Sequence, residues 1–285
     1  MKAKALFCAM GMLVSLSAAA TPVMSLPGGP IFFKFTGREQ IAINGASTGT
    51  AFGDSSEINW GVFTVDTMSK GSVDIPHQQI SPTGAPIFVN QLSGAQITGM
   101  FYGVDGHAAN PTDPFPASGG YLDLYWRDNS VLPVTDVSTS NVAGLRTALN
   151  QATGYTQGTL LAHLKFTPGA DTTDNTVTIS GSVLPTGSGF TGEADSFANV
   201  DTSAGGAWAV QLATQYYSTV FGSADLKFKN SYNALTTWND ATNANILGAK
   251  LDDPGQAFAV PEPGVMSLMG LAMLGMGVVR RRRKA

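Results

Sequence analysis

The last twenty-six residues constrain this chain more than any other stretch. Val260-Pro261-Glu262-Pro263 leads into a wholly uncharged run from Gly264 to Val279, and Arg280, Arg281, Arg282, Arg283, Lys284 and Ala285 follow. Nothing in the middle block opposes entry into lipid. Its sixteen residues span about 24 Å as a helix, short of a bilayer core of about 30 Å. Such a span needs local thinning or long flanking side chains that reach the interface. The five consecutive cations supply that flank, and they fix their end on the cytoplasmic side of the inner membrane. Pro261 and Pro263 keep a helix from running upstream, so the segment before the span is extended and accessible.

A Pro-Glu-Pro box, a short hydrophobic helix and an arginine-rich end, in that order, resemble the PEP-CTERM sorting signal. The resemblance implies recognition by an exosortase, a membrane cysteine transpeptidase of Gram-negative bacteria that make exopolysaccharide. Pro261, Glu262 and Pro263 are then its recognition motif, and Arg280 to Lys284 its stop-transfer end. A plain C-terminal anchor that is never cut is the competing reading, but such an anchor has no need of Pro-Glu-Pro beside its span.

At the other end, Lys2 and Lys4 precede an apolar run from Ala5 to Leu16, and Ser17-Ala18-Ala19-Ala20 follows. That is the layout of a secretory signal peptide, with Ala18 and Ala20 as the small residues read by signal peptidase and cleavage after Ala20. Cys8 leaves with the peptide, so the mature chain holds no cysteine. Disulfides and thiol catalysis are excluded, and stability must come from burial.

Setting apart Lys2, Lys4, Arg280 to Arg283, Lys284 and Glu262 leaves residues 21–260 with nine cations and nineteen acids, a net charge of minus ten. That balance argues against nucleic acid or an anionic membrane surface as a partner. It suits an extracellular domain, and divalent cations bridging it to an anionic polysaccharide.

The domain layout expected is a signal peptide (1–20), an exported β-rich domain (21–255), a linker with the Pro-Glu-Pro box (256–263) and the span with its basic end (264–285). Asp252-Asp253-Pro254-Gly255 reads as the start of the linker. Within the domain, alternation says strands. Leu122, Leu124 and Trp126 share one face while Tyr121, Asp123 and Tyr125 share the other, and Val177, Ile179 and Val183 alternate with Thr and Ser. Further strands are expected at 31–35, 60–65, 97–104, 160–166, 208–210 and 225–228. One helix is expected from about Asn141 to Gln151, capped by Ser140, because Val142, Leu145 and Leu149 recur at helical spacing. A second helical turn is expected near 213–219. The fold class is therefore all-β, mainly an antiparallel β-sandwich or jelly roll with one or two short helices.

Short motifs suggest chemistry, and each lacks its context. Gly45-Ala46-Ser47-Thr48-Gly49 has the spacing of a nucleophile elbow, which needs a helix to follow, and Thr50 to Asp54 offers none. Gly187-Ser188-Gly189-Phe190-Thr191-Gly192 has dinucleotide-loop spacing, but Glu193 and Asp195 would face the pyrophosphate. His77, His107 and His163 lack zinc spacing. Asp171, Asp174 and Asn175, or Asp123 with Asp128, are possible calcium ligands, with turn-forming the simpler role. Tyr121, Tyr125, Tyr216 and Tyr217 are candidates to stack on sugar rings. No catalytic residue, metal site or cofactor is expected.

Phe33-Lys34-Phe35, the 95–104 strand and Gly120-Tyr121-Leu122-Asp123-Leu124-Tyr125-Trp126 resemble the flocculation-associated group of PEP-CTERM proteins. That resemblance implies an adhesive or matrix role in biofilm or floc. A secreted hydrolase of glycans or esters and a calcium-dependent carbohydrate-binding module are the alternatives.

Overall fold

A computed structural model of the protein describes residues 22–75, 78–106, 115–186 and 189–261. The expected signal peptide, with Ala18 and Ala20, lies outside the described residues. So do Glu262, Pro263, the apolar run, Arg280 to Lys284, His77 and His107. Among the described residues no helix is long and apolar enough to cross a membrane.

The chain forms β1 (Gly29–Ala42), β2 (Glu57–Asp74), β3 (Gln79–Val89), β4 (Ala95–Gly106) and β5 (Phe115–Asp128). A short pair, β6 (Arg146–Ala148) and β7 (Gln151–Ala152), precedes β8 (Thr159–Thr167), β9 (Ile179–Thr186) and β10 (Gly189–Val200). A one-turn helix, α1 (Ala209–Leu212), and the small hairpin β11 (Tyr217–Thr219) and β12 (Gly222–Ala224) lead to β13 (Leu226–Ala234) and β14 (Ile246–Ala259).

All strand pairings are antiparallel, as the alternation in the sequence requires. The main sheet runs β1-β14-β13-β10-β8-β5-β4-β2-β3, and β1 also pairs with β2. That extra pairing closes the sheet into a ring. β8 and β9 share one place in it: β9 pairs with the first part of β10 and the start of β5, β8 with the rest of each. The ring thus has eight positions, and β3 continues from β2 outside it. The layers expected of a sandwich are therefore walls of one hydrogen-bonded sheet, and closure removes the edges that an open sheet exposes.

Alternation sorts residues to the two sides of the wall. On β5, Leu122, Leu124 and Trp126 join the inner core with Phe33, Phe35, Phe63, Ile97, Leu164 and Phe228. A second cluster includes Trp60, Val62, Met100 and Tyr102, buried with Val137, Leu145, Tyr155 and Trp238 of segments that cover the outside. Phe35, Phe63, Phe166 and Phe228 meet ring to ring across the interior, at centroid separations of 5.2 Å, 6.1 Å and 6.2 Å along the chain of contacts.

Three expectations are corrected. Residues 141–151 form turns and the β6–β7 hairpin rather than a helix. Gly144 takes a left-handed φ of 69° there, and Asn141 closes a turn by accepting a hydrogen bond from Ala143 N. Val142, Leu145 and Leu149 still pack on the outer cluster, so their spacing reported burial and not helix. The short helix falls at Ala209–Leu212, where a strand was expected, and 217–219 is a strand.

The third correction concerns the linker. Asp252, Asp253, Pro254 and Gly255 lie within β14, paired residue by residue to Thr36, Phe35, Lys34 and Phe33 of β1. Pro254 has no N–H to donate, and it sits where the ladder to β13 breaks between Gly255 and Asp252, a place a strand tolerates proline. Gly255 is needed for packing: a Cβ there would lie 2.4 Å from the Phe35 ring.

Candidate functional site

The sorting segment leaves the domain where β14 ends, and residues 24–28 meet it there. Val260 N donates to Gln211 O at 2.9 Å. The Gln211 side chain, 2% exposed, donates to Leu26 O at 3.3 Å and accepts from Leu26 N at 3.5 Å. Trp208 Nε1 donates to Met24 O at 2.6 Å. One turn of helix therefore holds residues 24–26 and those just before the Pro-Glu-Pro box. Pro261 follows directly and rests on Gly28, where a Cβ would lie 2.8 Å from the proline ring. Ala259 still pairs with Gly29. The segment 256–259, expected as linker, is thus strand, and only Val260 separates ordered sheet from the box.

Ser47 Oγ donates to Asp54 O at 3.0 Å and accepts from Gly49 N at 3.1 Å. A single three-residue 3-10 turn, Thr50–Phe52, follows it. That is a stapled loop, with no strand feeding a helix as an elbow requires.

Asp123 and His163 come together across β5 and β8, Asp123 Oδ1 lying 2.5 Å from His163 Nδ1. Tyr102 Oη donates to Asp123 Oδ2 at 3.2 Å. The hydrogen bond to Asp123 raises the His163 pKa against the opposing effect of burial. Burial, then the Asp123 charge, pushes the Tyr125 phenol up to about 12. A carboxylate on Nδ1 is how an imidazole is oriented for general-base work. Among the described residues, however, no hydroxyl or thiol hydrogen-bonds to the ring, so the arrangement holds an imidazole without a nucleophile. Nothing local in the sequence pairs His163 with Asp123, forty positions away.

Tyr121 is exposed at 36%, yet its ring already stacks on Tyr102 and His163, at 5.6 Å and 5.4 Å. Tyr216 stacks on Phe258 at 4.6 Å, and Tyr217 is buried. These rings are used in packing, and Tyr217 is corrected from surface to core.

The carboxylates proposed for calcium close their own turns. Asp171 Oδ1 accepts from Thr173 N and Oγ1, both at 2.7 Å, and Asp174 Oδ1 does the same with Thr176 at 2.8 Å and 2.7 Å. Asp128 repeats this with Ser130, Asp136 with Ser138, Asp201 with Ser203 and Asp240 with Thr242. The shared Asp-x-Ser/Thr spacing was visible in the sequence as a turn signal. These hydrogen bonds hold the Asp136, Asp171, Asp174, Asp201 and Asp240 carboxyls below their usual range. Among the described residues no three His, Cys, Asp or Glu side chains are grouped to hold a metal.

One buried polar site escaped sequence reading altogether. Arg146 meets Glu57 in a two-pronged ion pair, Nη1 to Oε1 at 2.6 Å and Nη2 to Oε2 at 2.8 Å. Thr48 Oγ1 and Gly103 N each donate to the same carboxylate at 2.7 Å. The guanidinium also sits 4.7 Å and 4.8 Å from the ring centres of Phe52 and Trp60. It fastens the covering β6–β7 segment to the barrel wall.

No curated protein and no solved structure matches the chain. The profile of the PEP-CTERM protein-sorting motif matches residues 259–284, beginning on the last residue of β14. The chain thus carries a PEP-CTERM protein-sorting motif, the address of an exosortase-sorted, exported protein of the bacterial cell surface.

Proposed function

We propose that this chain is a structural or adhesive component of the exopolysaccharide matrix of a Gram-negative bacterium, acting in biofilm or floc by contact and not by catalysis. The observation that carries the reading is the sorting motif joined, without a flexible spacer, to a rigid barrel whose sequence is strongly acidic. Sorting delivers the barrel to the surface, and its acidic loops offer carboxylates that divalent ions bridge to anionic polymer. The non-catalytic reading is supported by the loop around Ser47 and by an Asp123–His163 pair to which no hydroxyl or thiol among the described residues hydrogen-bonds at the ring.

The test is settling of a deletion strain complemented with the intact gene or with a version ending at Pro261. That end point keeps the Val260 bond to Gln211, so the shortened barrel retains its closure. Rescue by the intact gene alone is the expected result. Normal settling of the deletion strain would refute the adhesive role, and full rescue by the shortened form would refute the need for sorting. Chelation should disperse aggregates while leaving the far-ultraviolet circular dichroism unchanged.

A further inference from the structure

Hydrogen-bond register places the starts of β1, β4, β8 and β13 and the ends of β2, β5, β10 and β14 at one end of the barrel. The sorting segment leaves from this end. The segments gathered there, residues 22–33, 75–95, 129–135, 202–224 and 254–261, contain no Asp, Glu, Lys or Arg. Asp74 and Asp136 stand at the margins. Residues 21–260 as a whole carry a net charge of minus ten, so charge has been kept off this end and crowded onto the rest.

Apolar side chains stand out from the same end. Ile75 is 82% exposed, Val220 63%, Val210 60%, Phe221 41% and Val260 39%. Of the exposed large hydrophobic side chains among the described residues, only two lie elsewhere: Tyr121 within β5, and Leu184 near the β9–β10 turn at the opposite end. Packing ties the protruding turns to the exit point. Gln78 donates to Tyr216 O at 3.4 Å and accepts from Ser218 N at 2.9 Å, which joins the β2–β3 turn to the β11–β12 hairpin. Tyr216 stacks on Phe258, and Val260 N bonds to Gln211 O, next to Val210. Exposed apolar side chains clustered on ordered turns mark a contact surface.

The length of chain beyond Pro261 identifies what covers this surface. Pro261 rests on Gly28, and only Glu262 and Pro263 separate it from the apolar run that begins at Gly264. Three residues of extended chain reach about 11 Å at most. Once that run enters lipid, this end of the barrel is drawn onto the bilayer, and the opposite end, a strand length away, cannot reach it. We propose that the end carrying Ile75, Val210, Val220, Phe221 and Val260 seats on the interfacial layer of the membrane that the sorting tail enters, its apolar side chains dipping between the lipid headgroups. An anionic leaflet repels the acidic remainder of the barrel, so the same end stays down. The docking depends on the sorting motif and its apolar run, and is independent of any role in adhesion. A few apolar side chains hold lipid weakly by themselves, so removal of the tail frees the barrel.

The test is fluorescence from the full chain, with Cys8→Ser, in phosphatidylcholine nanodiscs. An environment-sensitive dye is attached at Val220→Cys or, as the control, at Leu184→Cys. The dye at 220 should shift to the blue, and brominated phosphatidylcholine should quench it several-fold more than the dye at 184. Val210→Asp with Phe221→Asp should abolish that difference while the circular dichroism is unchanged. Should the double variant fail to fold, Ile75→Asp alters a single exposed turn and should reduce the difference in part. Mixing phosphatidylglycerol into the disc should not increase the quenching, because these segments hold no Lys or Arg. Equal quenching at both positions, stronger quenching with anionic lipid, or undiminished quenching in a folded charged variant would each overturn the proposal. So would a blue shift without lipid, at doubled mass, in the form ending at Pro261, which assigns the surface to a second copy of the chain.

Discussion

Glu39 and Glu57 lie on neighbouring strands of one barrel, both all but sealed from solvent, and face opposite sides of the wall. On the outer side Glu57 meets a guanidinium, a hydroxyl and a backbone N–H. Inside, Glu39 has Asn59 and no ion pair among the described residues. Both carboxyls lost their water on folding, and only one received a cation in return. Burial by itself therefore says little about a charged group. The partner separates the two roles: Glu57 fastens a covering loop, whereas Glu39, with Asn59 and Asn230, keeps a polar point inside a largely apolar interior.

The contrast can be broken at its stronger end first. Glu57→Ala leaves the Arg146 guanidinium buried without its partner and should cost about 3–5 kcal/mol in urea unfolding. A loss under about 1 kcal/mol would mean that the covering segment is held by packing alone. Glu39→Gln should have the opposite sign. The folded pKa of about 7 lies above the ordinary 4.5, so the folded state holds the extra proton between those values. Stability linked to this group is present below pH 4.5 and is lost as pH rises through 7. The glutamine variant should match wild type at pH 4 and exceed it at pH 8 by on the order of 3 kcal/mol. Parallel stability curves for the two proteins would show that Glu39 is solvated after all.

Smaller effects sharpen the comparison elsewhere. Gln211→Ala removes two buried side-chain hydrogen bonds to Leu26 and should cost about 1–3 kcal/mol, with faster amide exchange near Leu26 and Val260. Unchanged exchange at both would mean that the two ends are held independently of this side chain. His163→Gln tests a mostly buried pair, the imidazole 19% and the carboxylate 5% exposed. Because its pKa is raised by Asp123, the stabilisation is present below about pH 6.5 and lost as pH rises through the folded value. The effect is read as a difference in melting temperature at pH 5 that vanishes at pH 9.

The β class was legible because alternation is a local property: Leu122, Leu124 and Trp126 turned inward, Tyr121, Asp123 and Tyr125 outward, as read. The tail was legible for the same reason, its three parts being contiguous. Ring closure was not, since the pairing of β1 with β14 joins residues more than two hundred positions apart. Arg146 misled for a related cause. Its neighbours have helical spacing, but its conformation is set by Glu57, eighty-nine positions upstream. Pro254 and Gly255 carry turn chemistry that the strand absorbs at a ladder break and beneath the Phe35 ring. The polar point inside left no local trace either, because Glu39, Asn59 and Asn230 come from three different strands.

The closing strand has a consequence for timing. β14 completes the ring between β1 and β13, and it is the last ordered element before the sorting box. During export the domain therefore remains an open sheet with two unpaired edges until nearly the whole chain has crossed. Long-range closure of this kind is slow and exposes sticky edges while it waits. A tail that halts in the membrane directly behind β14 would keep each molecule tethered, and apart from its neighbours, through that interval. Exosortase processing at the box would then fall after the last strand has crossed and can dock, and the sorting step would double as a clock for folding.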